Sequence, residues 1–77
     1  MPEKLPVISG KEAMKAFEKA GWTLIRVGSS RHYIYKKEGM TTTLSIPDHK
    51  VLDRGLLRSL IRDSFMSIDE FCKFLKD

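Results

Sequence analysis

Cysteine is nearly absent: Cys72 is the single one in 77 residues. One thiol cannot close an internal disulfide or build a cysteine-rich zinc site. A reducing compartment is expected, with Cys72 as a small apolar filler. Long apolar runs are also missing, and none approaches the roughly 18–20 residues that cross a bilayer. The opening "MPEKLPVISG" lacks the basic-then-apolar layout of a secretory leader. A soluble, cytoplasmic protein with no membrane partner is the expectation. No repeat, low-complexity tract or linker divides the chain, so residues 1–77 are read as one domain. Histidine is scarce too, with only His32 and His49 present. Acid–base chemistry near neutral pH therefore has few places to reside.

What the chain does carry is positive charge. Its formal net charge is +4 and its isoelectric point about 9.4. That balance favours an anionic partner such as nucleic acid or an acidic protein. A chain this short has room for one small core and a shallow site, not for a deep enclosed pocket.

Local signals divide the sequence into elements. Pro2 and Pro6 hold the start extended, and Leu5, Val7 and Ile8 are candidates to pack on a core. In "SGKEAMKAFEKAG", Ser9 and Glu12 have the spacing of a capping box. Ala13, Met14, Phe17 and Ala20 form one helical stripe, and Gly21 supplies the stop. "WTLIRV" (residues 22–27), "RHYIYKK" (31–37) and "TTTLSIP" (41–47) read as strands separated by a Gly-Ser corner and a turn at Gly39. Pro47 closes the third. "DHKVLDRG" is a loop. A helix is expected over Arg54–Ser64, with Leu57, Leu60 and Ile61 on its apolar face. Ser67 and Glu70 repeat the capping-box spacing before a short last helix, whose buried side is Ile68, Phe71, Cys72 and Leu75.

The order is helix, three strands, helix, short helix. It predicts an α+β layer: helices on one face of a three-stranded antiparallel sheet, the other face wet. Double-stranded-RNA-binding domains share this order, and the order alone names no function.

His32 opens the second strand. Alternation puts it on one face with Ile34 and Lys36, and puts Tyr33 and Tyr35 on the other. With the tyrosines toward the helices, His32 faces outward with Lys36, and Arg31 stands beside it at the corner. Cations there suit a phosphate on which negative charge develops. A lone histidine at a strand end is equally what a merely solvated residue looks like. His49 lies between Asp48 and Lys50, where a role in its own turn is the plainer reading. A metal held by His32, His49 and an aspartate is not supported by any paired spacing. Arg54, Arg58 and Arg62 make a basic stripe that suits a phosphate backbone or simply a solvated helix face. Trp22 suits either a base stack or the core.

Taken together, these stretches resemble the HicA (YcfA-like) family of mRNA interferase toxins. The resemblance rests on "LPVISGKEAMKAFEKAGW", on "IRVGSSRHYIY" and on "LSIPDHKVLDRGLLRSLIRDSFMSIDEF", in that order and over nearly the whole chain. One departure lies at the corner. Gly28-Ser29-Ser30-Arg31 precedes the histidine, where many members place it directly after Gly-Ser. Leu56 also follows Gly55 where threonine is frequent.

The resemblance implies a double-stranded-RNA-binding-like fold and an endoribonuclease, which is expected to work without a metal or other cofactor. It implies a single catalytic histidine, His32, with Tyr35 at the family's aromatic spacing, and a HicB-type antitoxin as partner. Arg31, Lys36, Lys37 and Arg58 are then the expected RNA contacts, with no metal ligands. The alternative is a non-catalytic double-stranded-RNA-binding module. Such modules grip phosphates with a lysine cluster opening the last helix, and "LDRGLLRS" has two arginines and no such cluster.

Overall fold

The computed structural model describes residues 5–76. Its elements are α1 (Gly10–Lys19), β1 (Thr23–Gly28), a single 3₁₀ turn (Ser29–Arg31), β2 (His32–Lys36), β3 (Thr43–Pro47), α2 (Arg54–Asp63) and α3 (Ile68–Lys76). The expected α+β order is the observed one. The Pro2 expectation lies outside the described residues; of its neighbours, Leu5 and Ile8 are buried and Val7 is exposed.

The ends of α1 follow from four residues. The Ser9 hydroxyl accepts from the Glu12 N–H at 3.1 Å, and the Ser9 N–H donates to the Glu12 carboxylate at 3.0 Å. Both halves of the capping box are thus made, which satisfies two donors that a helix start leaves orphaned. At the other end Gly21 takes φ +106°. Its N–H reaches the Glu18 carbonyl, and the Trp22 N–H reaches that of Phe17. That is a Schellman ending, whose left-handed residue is least costly as glycine.

The three strands form an antiparallel meander in the order β1-β2-β3, with β2 central. On its helix side lie Tyr33, Tyr35, Leu44 and Ile46, paired across strands as Tyr33–Ile46 and Tyr35–Leu44. The core joins Tyr35, Leu44 and Ile46 to Phe17, Trp22, Leu57 and Phe71, all at most 2 % exposed. Burying each such side chain stabilises the fold by roughly 1.5–3 kcal/mol. The Phe17 and Phe71 rings meet at 5.0 Å and 46°, tying α1 to α3. Trp22 is therefore a core residue and not a base-stacking platform; its indole N–H is buried without a partner among the described residues.

Two details differ from the simple layer picture. The register between β1 and β2 slips between Leu24 and Arg26, so Ile25 is an extra, bulged residue. Leu24 and Val27 pair with Tyr35 and Tyr33, hence share the helix side, yet both stay exposed. β1 thus projects past the helical cover. Cys72 is half-buried on α3 and not an enclosed filler.

Candidate active site and nucleic-acid face

His32 is where β2 leaves the 3₁₀ turn. It pairs with Gly28 on β1 and with Pro47 on β3. The buried Tyr35 phenol donates to the Glu18 carboxylate at 2.6 Å, which anchors the opposite face of β2 on α1. Burial, together with that hydrogen bond to an anion, pushes the phenol well above the ordinary tyrosine value. With Tyr33 and Tyr35 turned to the helices, the His32 ring is left on the open face, half-buried.

One contact orients the ring. Nδ1 lies 3.1 Å from the carbonyl oxygen of Ser29. A carbonyl can only accept, so this bond requires the proton on Nδ1. In the neutral ring the lone pair is then on Nε2, the nitrogen not tied to the turn. Ser29 can face the ring because the next two residues, Ser30 (φ 58°) and Arg31 (φ 56°), are both left-handed. This pair takes up the two residues that separate Gly28-Ser29 from the histidine. Neither is glycine, so the corner holds strain of order 1–3 kcal/mol per residue.

The other expected contacts fall in different places. Arg31 is exposed and adjoins His32. Lys36 is on the same face, but four residues along β2, roughly 13 Å at the usual strand rise. Lys37 follows β2 at that same far end, its aliphatic chain over Gly21. Arg58 is exposed on α2, on the helical layer. Hence Arg31 adjoins the histidine along the chain, and Lys36, Lys37 and Arg58 lie elsewhere.

Arg26 was not singled out by sequence. It pairs with Ile34, so it is on the open face between His32 and Lys36. A bulge-shifted register carries it there, and regular alternation along β1 does not reveal it.

Beside the histidine end lies a hollow of about 300 Å³ lined by Ser9, Lys11, Arg31, Asp48, His49 and Lys50. Three elements meet in it. The Gly10 N–H donates to the His49 carbonyl at 2.8 Å, and the Asp48 N–H to the Arg31 carbonyl at 3.2 Å. A Cβ on Gly10 would lie 2.0 Å from the Pro47 oxygen, so only glycine lets α1 approach β3 this closely. His49 thus ties its loop to α1 through its backbone, leaving its side chain exposed at the hollow.

Fold and site together define a small basic α+β domain that presents one oriented imidazole, next in the chain to Arg31, at an end of an open sheet. A family model, the HicA toxin of bacterial toxin-antitoxin, matches residues 10–64, well over half the chain. The chain belongs to the HicA toxin family. It is accordingly the toxin of a toxin-antitoxin system, with a cognate antitoxin. No curated protein and no solved structure matches it. Among the described residues no helix is long and apolar enough to cross a membrane.

Proposed function

We propose that this toxin is an endoribonuclease that cleaves mRNA by general acid–base catalysis at His32. The observation that carries the reading is the Nδ1–H bond from His32 to Ser29, which leaves the lone pair of the neutral ring on Nε2. RNA brings its own nucleophile, the 2′-hydroxyl. Nε2 takes the 2′-OH proton as the 2′-oxygen bonds to phosphorus. The bond from phosphorus to the 5′-oxygen then breaks, and that oxygen takes up a proton from the imidazolium or from water. The products are a 2′,3′-cyclic phosphate and a 5′-hydroxyl. Arg31 offsets the charge on the phosphorane, while Arg26 and Lys36 hold phosphates further along the open face. Lys37 and Arg58 are secondary RNA contacts in this reading. Proton transfer by one histidine typically contributes about 10²–10⁴-fold.

No metal takes part in these steps, so cutting persists in EDTA. A HicB-type antitoxin silences the enzyme by covering the open face. The alternative, a non-catalytic module for duplex RNA, would show binding without strand scission.

The deciding assay incubates pure protein with RNA in EDTA beside a folded His32→Ala variant. Cyclic-phosphate ends from the native protein, and a loss of at least about 10²-fold in the variant, are expected. Equal cutting by the two proteins, or none in EDTA, removes the mechanism.

A further inference from the structure

We infer that the hollow between the start of α1, the Ser29–Arg31 turn and the loop after β3 is a nucleotide subsite that holds the phosphate next to the scissile one. The inference rests on the reading of the His32 end as the RNA site, and it adds Lys11, His49 and Lys50 to that site.

The charge of the lining points to an anion. Lys11, Arg31 and Lys50 face a single carboxylate, Asp48, with the His49 imidazole among them. Asp48 lowers the positive charge without cancelling it. The α1 helix end is not the source of attraction. Its Gly10 and Glu12 N–H groups are already engaged by the His49 carbonyl and the Ser9 hydroxyl. The side chains supply the charge, and they come from three separate stretches of sequence.

The position points to the same RNA chain that reaches His32. Arg31 directly precedes His32, and Asp48 directly follows Pro47, the residue paired with His32 across the sheet. The Asp48 N–H bond to the Arg31 carbonyl ties together two residues that line the hollow. In this proposal a strand whose scissile phosphate lies at His32 runs its neighbouring nucleotide toward this hollow, whose lining adjoins His32 and its partner Pro47 along the chain. Size agrees: about 300 Å³ is at the low end for ligand sites and several times the volume of a water. The hollow takes a phosphate with part of its ribose, not a duplex. An acidic protein side chain is the competing occupant, and the test separates the two.

The test measures binding apart from cutting. Five-nucleotide oligouridine is titrated by fluorescence anisotropy onto the His32→Ala protein, which does not consume it, across a series of salt concentrations. The same titration uses that protein with Lys11→Gln and Lys50→Gln added. A control carries Lys73→Gln and Lys76→Gln instead. Those two lysines line a separate hollow on α3, and the control removes the same charge.

The Lys11/Lys50 variant is expected to bind about tenfold more weakly. Its slope of log affinity against log salt is expected to fall by about 0.7, the value for one single-strand phosphate. The control should keep the native affinity and slope. Equal losses in both variants, an unchanged Lys11/Lys50 variant, or no RNA binding by the parent would overturn the subsite. So would weakened antitoxin binding with RNA affinity intact. Should His32→Ala still cut RNA, the catalytic proposal fails while the anisotropy result continues to decide the subsite.

Discussion

Gly10 and Pro47 are 37 residues apart in sequence, yet a side-chain carbon on Gly10 would stand 2.0 Å from the Pro47 carbonyl oxygen. The start of the first helix is thereby pressed against the end of the third strand. The 2.8 Å bond from Gly10 to the His49 carbonyl holds it there. Both the histidine end of the sheet and the cationic hollow depend on this approach.

Gly10→Ala should therefore be destabilising, although alanine is the better helix former. Forcing the methyl in costs about 3 kcal/mol, of which helix propensity returns roughly 1. The melting temperature should drop by about 10 °C. Calorimetry checks this, and a variant that melts with the native protein would show that the backbone yields freely there.

Tyr35 makes the fold sensitive to alkali. Its phenol is raised by burial and by the Glu18 carboxylate that accepts its proton. The folded state therefore keeps the proton above pH 10, where the unfolded chain releases it. This stabilisation is complete below the unfolded value near 10 and is lost as pH rises from there toward the folded value. The slope is at most about 1.4 kcal/mol per pH unit. Urea unfolding at pH 8 and pH 10.5 should show a steeper loss for the native protein than for Tyr35→Phe. Parallel losses would refute the assignment.

Phe65 holds a position that suits glycine. It follows α2 with φ 62°, and 74 % of it is exposed. Its N–H reaches the Arg62 carbonyl and the Met66 N–H that of Ile61, the same ending that Gly21 gives α1. Phe65→Gly relieves the left-handed strain and sacrifices little buried surface. We expect a gain of about 0.5–1 kcal/mol, seen as a melting point several degrees higher. A lower one would mean that the ring packs in solution.

Ser30 tests the corner. A β-branched side chain fits poorly at φ 58°, so Ser30→Val should lose about 1–2 kcal/mol. Ser30→Gly should at least retain native stability. Because the Ser29 carbonyl orients His32, the proposed mechanism also has the valine variant cutting RNA more slowly at temperatures where it remains folded. Native cutting rates in Ser30→Val would dissociate the corner from the imidazole.

The elements were legible because their signals lie within a few residues. Ser9–Glu12 and Ser67–Glu70 both form the capping boxes that their spacing promised. Alternation along "HYIYK" sorted Tyr35 inward and His32 outward. One local signal passed unread: Asp53 caps α2, its carboxylate accepting from the Leu56 N–H at 3.1 Å, which offsets the poor helix former Gly55.

Thus the amino-acid order by itself determined the elements, the family likeness and the face of β2 that carries His32. Caps, turns and period-two faces are set by neighbours three or four residues away. Only the tertiary structure decided which cations share a site. Arg31 joined Lys11 and Lys50 at one hollow, while Lys36 and Lys37 were left at the other end of a strand. Arg26 came to the open face through a bulge, and Lys11 and Lys50 met across a gap that glycine alone can close. Such meetings depend on backbone approaches between distant segments, and no short window of residues encodes them.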